Sequence, residues 1–214
     1  MILYNPTDGI AQQIKVTYRP QTCFIMTQLG QPIPLQVTEI RRKLTKILNR
    51  NNLKEIDAVS VVTGRDFMLK IWRLLVSVPI GIAIIDKTMS SNTLCNIFYE
   101  VGLMHSLGKE TVVIKTSEAK VPSDFVRTEY IKFDVDFENN LNKYFQTTYW
   151  DLPDYYETIA DQLDRNPLLA IDYLRRSYLI SGNNKLKKKA KRIHKEAAVE
   201  GRAKNSVEQL LVDF

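Results

Sequence analysis

Hydrophobic positions follow two periods along the first 135 residues. Short apolar runs with little alternation, "TCFIMTQL" (22–29), "DAVSVV" (57–62), "IGIAIID" (80–86), "ETVVIK" (110–115) and "EYIKF" (129–133), predict five strands. The run at 80–86 is β-branched with almost no polar residue, as expected of a central parallel strand covered on both faces. Between the runs the period lengthens. Val37, Ile40, Leu44, Ile47 and Leu48 share one face of a helix over 37–52. "DFMLKIWRLLVSV" predicts a second helix with Asp66 as N-cap, and "NIFYEVGLMHSL" a third, closed by Gly108.

Strands alternating with helices imply a parallel sheet with right-handed crossovers. Five of them suggest an α/β fold with a flavodoxin-like, doubly wound, five-stranded parallel sheet, spanning residues 1–136. The opening segment to Gln21 is broken by Pro6, Gly9 and Pro20 and is expected to add a peripheral strand. From Phe137 the pattern is helical, giving a C-terminal helical extension over 137–214. Asn166 is its clearest N-cap, with Pro167 at the first helical position, and "SGNN" (181–184) breaks the chain before a basic run. These helices carry enough Leu, Ile and Tyr to pack on the sheet or on a second copy of the chain, so a homo-oligomer is expected.

Composition changes little: 44% hydrophobic and 25% charged residues suit a globular protein. Cys23 and Cys95 both lie in apolar stretches and are expected to be buried thiols, which points to a cytoplasmic setting. The start of the chain has no basic region followed by a long apolar run, so no secretory signal is expected. "IWRLLVSVPIGIAII" is interrupted by Arg73 and Pro79 and too short to span a bilayer, so no membrane partner is expected. The net charge of +6 comes from residues 185–204, with nine Lys/Arg against two Glu; the remainder has 21 against 22. Clustered Lys185–Lys204 could neutralise nucleic-acid phosphates, but no aromatic is interleaved and most such runs are solvated helix faces.

In doubly wound sheets ligands bind beyond the carboxyl ends of the strands, where strand order reverses. That rule puts the loops after Leu29, Val62, Asp86 and Lys115 on one rim. On the helix after the third strand, Leu94, Ile97, Phe98, Val101, Met104 and His105 share the face expected on the sheet. Glu100 lies on its flank beside Thr93, Asn96 and Met104, where an unpaired carboxylate is costly. Asn96, one turn back, is a candidate hydrogen-bond donor to it. Gln28 and Gly30 follow the first strand, where backbone amides could approach a ribose or phosphate. Asp86 could accept ribose hydroxyls or cap the "SSN" turn, and Arg65 in "TGRD" could meet a phosphate. His105 is expected to pack in the core and Asp124 to cap a turn. Asp86 and Glu100 are expected to line one cleft, with Gly30 across it. No metal-ligand spacing is present, and neither a metal nor a resident cofactor is expected.

Four stretches together resemble the TIR-like and nucleoside 2-deoxyribosyltransferase-like superfamily of nucleotide-processing domains. They are "RPQTCFIMTQLG", the strand "IGIAIID" ending in an acid, "NIFYEVGLMHSLGK", and "VVIKT…VPSDF". The likeness covers about residues 19–134, and the third stretch, an Asn–three residues–Glu–small-residue helix followed by Gly-Lys, is its most specific part. It implies a flavodoxin-like sheet and cleavage or transfer at an N-glycosidic bond, with the catalytic glutamate at Glu100. The spacing from Asp124 to Arg127 is shorter than in many members, so no role is carried onto Arg127. Deoxyribosyltransferases of the superfamily commonly have an aspartate shortly before the glutamate; here Lys87–Tyr99 contains no acid and Leu94 stands six before Glu100. The departure favours NAD+ as a substrate, because its nicotinamide is already a cationic leaving group and needs no proton. Nucleoside deoxyribosyl transfer is the alternative enzyme, and a sensor that binds a nucleotide-derived signal is the alternative without catalysis.

Overall fold

A computed structural model describes residues 3–4, 11–12, 16–59, 67–125 and 129–196. Strands β1 (Leu3–Tyr4) and β2 (Ala11–Gln12) form a short antiparallel pair. The main sheet contains β3 (Thr22–Met26), β4 (Lys54–Asp57), β5 (Ile80–Ile85), β6 (Glu110–Lys115) and β7 (Glu129–Lys132). Its order is β4-β3-β5-β6-β7, all parallel, which is the flavodoxin-like order with a reversal between β3 and β5. Helices α1 (Leu35–Arg50), α2 (Phe67–Ser77), α3 (Ser91–Ser106) and α4 (Phe137–Tyr144) flank it. A single 3₁₀ turn, Ser123–Phe125, lies between β6 and β7.

Two compact units result. Thr22–Gln146 forms the sheet unit. The described parts of Met1–Gln21 and Thr147–Phe214 form the other, which contains α5 (Leu152–Asp161), α6 (Pro167–Ser181) and α7 (Asn184–Glu196). The division thus falls later than the expected 136/137. The reason is α4, which buries Phe137, Leu141 and Tyr144 and packs on α1 and β7. The segment before β3 belongs with the helices because Arg175 Nη1 donates to Tyr18 Oη at 2.6 Å and the Gln21 amide donates to the Leu179 carbonyl at 2.8 Å.

All six residues of β5 are buried, as its composition requires, and α1 buries the five apolar residues that its periodicity picks out. Parallel register sorts the sheet's side chains. Phe24 pairs with Gly81, and Gly81 with Thr111, so these share the α3 face together with Met26, Ala83 and Val113. Cys23, Ile25, Ile80, Ile82 and Ile84 point the other way, toward α1. Small residues on the first face let α3 settle close. A Cβ added at Gly81 would stand 2.7 Å from Met26 Cε and 3.1 Å from Met104 Cε.

Several boundaries differ from the sequence expectation. The second strand is "KEID" (54–57) rather than 57–62; Ala58 and Val59 are in a bend, and residues 60–62 lie outside the described residues. Asp57 ends this strand because its carboxylate receives Arg41 Nη2 at 2.9 Å and the Val59 amide at 3.1 Å, turning the chain. Asp66 lies outside the described residues. Cys23 is buried as expected, but Cys95 is exposed on α3, because the apolar stretch around it is a helix with one covered face. For the same reason His105 is not in the core; it lies on the exposed edge of α3, bonded through Nε2 to Thr111 Oγ1 at 2.6 Å. In the helical unit Asn166 does cap α6, accepting from the Leu169 amide at 3.1 Å, and Gly182 ends it at φ +69°.

The Gly81 contact yields a direct test. Gly81→Val should lower the unfolding free energy by about 1–3 kcal/mol, since a branched side chain overpacks the space under Met104. Urea denaturation measures this, and an unchanged midpoint would mean that α3 is not held at that height.

Candidate functional site

β3 and β5 are adjacent parallel strands whose connections leave in opposite directions, so the loops beyond their carboxyl ends diverge and leave a crevice. A cleft of about 340 Å³ occupies it, lined by Gln28, Pro32, Ile33 and Pro34 from the loop after β3 and by Thr88, Ser90 and Thr93 from the turn after β5 and the start of α3. That volume lies at the lower end of those of small-molecule sites.

Each wall has a local cause. Gln28 Nε2 donates to the carbonyls of Gly30 at 3.0 Å and Pro32 at 2.7 Å, bracing the loop from inside. Within Gln31–Pro34 the two prolines are fixed in φ, and the Ile33 amide donates to the Gln31 side chain at 3.2 Å. On the opposite wall Ser90 caps α3, accepting from the Thr93 amide at 3.2 Å, and its hydroxyl lies 3.0 Å from that of Thr93. The positive end of a sixteen-residue helix therefore abuts the cleft.

Asp86 is buried beneath this wall at 3% exposure, so it caps the turn and does not line the cleft. Its Oδ1 accepts from the Thr88 amide at 2.9 Å and from the Thr88 hydroxyl. Burial pushes the Asp86 carboxyl up, but the bonds from Thr88, the Thr116 hydroxyl and the Lys87 charge together hold it below the usual carboxylate range. Lys87 is itself paired with Glu118. Gly30 is exposed and does not line the cleft either; a Cβ there would meet nothing within 4 Å, so neither space nor backbone geometry demands glycine. Arg65 lies outside the described residues, as do the side chain of Asp124 and all of Arg127.

α3 turns Ile97, Val101 and Met104 onto the sheet. One flank carries Phe98 and His105, both stacked against Phe125 at centroid distances of 5.0 and 5.9 Å. Partial burial lowers the His105 imidazole below its ordinary value. The other flank carries Thr93, Asn96 and Glu100. Seven residues separate Thr93 from Glu100, which is two turns, about 10 Å along the axis and nearly the same direction around it. Glu100 is therefore not a cleft-lining residue but lies on the strip that runs down from the cleft.

Glu100 is half-buried and, among the described residues, has no hydrogen bond and no ion pair. The donor expected from Asn96 does not reach it, because Asn96 is turned to solvent. With nothing to offset lost hydration, burial alone pushes the Glu100 carboxyl up to about 7. Among the described residues no group of His, Cys, Asp and Glu is arranged to hold a metal ion, and no helix is long and apolar enough to cross a membrane. Comparisons with protein-family models, with curated proteins and with solved structures find no match to this chain.

Of the described residues singled out from sequence, Gln28 alone lines this cleft. Thr88, Ser90 and Thr93 were missed as lining residues. The stretch "TMSSNT" signals an N-cap serine at a helix start but nothing that marks these residues as lining a cleft.

The titration of Glu100 has a thermodynamic consequence. Its folded-state pKa is raised above the ordinary 4.5, so folding favours the protonated form. Stability linked to this group is full below about pH 4.5 and is lost as pH rises through about 7. The loss is on the order of 3 kcal/mol at most. Glu100→Gln should therefore be more stable than the parent by about 2–3 kcal/mol at pH 8 and equal to it within about 0.5 kcal/mol at pH 4.5. Denaturant titrations at the two pH values decide; a parent and variant that differ equally at both would mean that Glu100 is not the group responsible.

Proposed function

We propose that the chain is a TIR-like, deoxyribosyltransferase-like nucleotide-processing domain that hydrolyses the nicotinamide–ribose bond of NAD+, with Glu100 as the catalytic carboxylate. The observation that carries this reading is the half-buried Glu100 on the strip below the switch-point cleft, which has no hydrogen bond or ion pair among the described residues. A carboxylate kept there without a partner costs stability, and such groups concentrate where chemistry needs them. The resemblance of "NIFYEVGLMHSLGK" to the superfamily's glutamate helix supports the same residue.

In this reading the cleft holds the polar part of the dinucleotide. The α3 N-terminus favours a phosphate. The hydroxyls of Thr88, Ser90 and Thr93 and the Gln28 amide offer bonds to ribose. The N-glycosidic bond breaks with its electron pair passing to the nicotinamide nitrogen, which leaves neutral. The ribose carbon develops oxocarbenium character, which ionised Glu100 stabilises. Water adds to that carbon and gives up a proton to solvent, yielding ADP-ribose. The cationic pyridinium of bound NAD+ favours the ionised form of Glu100. NAD+ is thus substrate rather than cofactor.

The raised pKa of Glu100 supports a second reading as well. A carboxyl that holds its proton to about pH 7 can act as an acid toward a nucleobase leaving group, as nucleoside deoxyribosyl transfer requires. The two readings differ in sign. Hydrolysis that needs the carboxylate should speed up as pH rises through about 7, whereas acid catalysis should slow down.

The test is an HPLC assay of the purified protein with NAD+, and in parallel with deoxynucleosides and free bases, across pH 5.5–8.5. NAD+ should be cleaved, faster above pH 7. Glu100→Gln should lower turnover by a factor on the order of 100 or more while keeping NAD+ binding within roughly tenfold. A Gln variant that cleaves NAD+ within a few-fold of the parent overturns the catalytic assignment. No turnover in either form, with binding retained, selects the sensor.

The same reading includes a homo-oligomer in a cytoplasmic setting. Tyr155, Leu168 and Leu169 of the helical unit are large apolar groups left exposed, and both cysteines are free thiols. Light scattering at micromolar concentration should give a mass above one chain; a monomer with and without NAD+ would remove this part of the reading.

A further inference from the structure

We propose that α7 is a docking surface for the phosphodiester backbone of nucleic acid, bound through Lys185, Lys188 and Arg192 without base readout. The three side chains line a cleft of about 480 Å³ on the helical unit, together with Asn183, Leu186, Lys189 and Glu157. The basic run alone would fit an ordinary solvated helix face; how its charges are used argues otherwise.

The charges on α7 divide by role. Lys189 is fixed between Glu157 Oε1 at 2.8 Å and Asp161 Oδ1 at 2.6 Å, which ties α7 to α5. Lys187 lies 4.4 Å from the centre of the Tyr178 ring. Leu186 and Ala190 are buried in the cluster that includes Ile171, Leu174 and Leu179. These contacts fix the orientation of α7. Lys185 and Lys188 are left with no ion pair among the described residues, and Arg192 has only a 3.9 Å surface pair with Glu196, in which both side chains are about two-thirds exposed. The cleft thus carries four cations against one carboxylate, Glu157, and that carboxylate is already engaged by Lys189.

The spacing suits a polymer of phosphates. Lys185, Lys188 and Arg192 follow one another at three and four residues on one side of the helix, covering about 10 Å of its axis. One nucleic-acid strand presents a charge about every 3.4 Å, so the strip spans about three phosphates. A lipid surface is disfavoured, because the apolar residues Leu186 and Ala190 are buried in the unit and leave α7 no hydrophobic face to insert. No Phe, Tyr or Trp lies on α7 to stack a base, hence backbone binding rather than sequence reading.

The experiment uses the full chain and fluorescence anisotropy with a labelled 20-base-pair DNA duplex, the equivalent RNA duplex and a single-stranded 20-mer. At least one should bind, with affinity falling about 40-fold between 50 and 200 mM salt, as three phosphate contacts require. The triple variant Lys185→Gln/Lys188→Gln/Arg192→Gln leaves the anchors Leu186, Lys189 and Ala190 intact and should keep the parent circular dichroism. It should lose affinity by about tenfold or more and show a flatter salt dependence. The control triple Lys46→Gln/Lys120→Gln/Lys132→Gln removes the same charge from exposed positions on the sheet unit and should bind within about twofold of the parent. Equal losses in both variants would reduce the effect to net charge and overturn the site. So would absence of binding at 50 mM salt, or binding to anionic phosphatidylserine vesicles but to none of the three nucleic acids.

Discussion

β5 has no exposed residue, and a strand covered on both faces can exist only where helices roof both sides of the sheet. The rest of the sheet unit follows from that constraint. β3 and β6 flank β5 in parallel register, and parallel neighbours need crossovers long enough to be helical. Right-handed crossovers leaving β3 and β5 in opposite directions place α1 and α4 on one face and α2 and α3 on the other. The cleft beside Gln28 and Thr93 is the gap that this divergence opens, so its position is a property of the topology before it is a property of any polar side chain.

The height of α3 above the sheet is set by Gly81 and Met104, and that height decides what Glu100 meets. A helix seated close to small residues brings its flanks partly under cover. Phe98 and His105 find Phe125 and Thr111 on one flank, but Glu100 on the other finds no partner among the described residues. Asp86, at the end of β5, shows the contrast. Burial pushes its carboxyl up as well, yet the bonds from Thr88 hold it below the usual carboxylate range. Two carboxyls near one crevice are thus shifted in opposite directions, Asp86 with donors and Glu100 with none among the described residues.

The sheet could be read from sequence because its signal is concentrated: an apolar β-branched run and helices of regular period leave few alternatives. The α1 face was readable for the same reason. β4 was misplaced because "KEID" is half-exposed at the sheet's edge and reads as polar, while the following "AVSVV" is the more apolar run. Cys95 was misassigned because hydrophobic neighbours in sequence do not share a helix face, and His105 because it lies at the edge of the narrower face that Ile97, Val101 and Met104 turn to the sheet. The site was harder still. Glu100 stood out as a carboxylate among apolar residues, whereas Gly30 and Asp86 were chosen for their place after a strand, which does not say whether a side chain points into a crevice or under it. Thr88, Ser90 and Thr93 contribute small hydroxyls, which sequence alone does not distinguish from ordinary caps.

Glu100 is a carboxyl held two turns below the switch-point crevice without a compensating donor among the described residues. Its direct measurement is an NMR pH titration of the glutamate side-chain carboxyl carbons, with Glu100 assigned by its disappearance in the Gln variant. One glutamate should titrate near pH 7, well above the rest, and be the resonance that the substitution removes. A Glu100 resonance titrating at its ordinary value near 4.5 would contradict it.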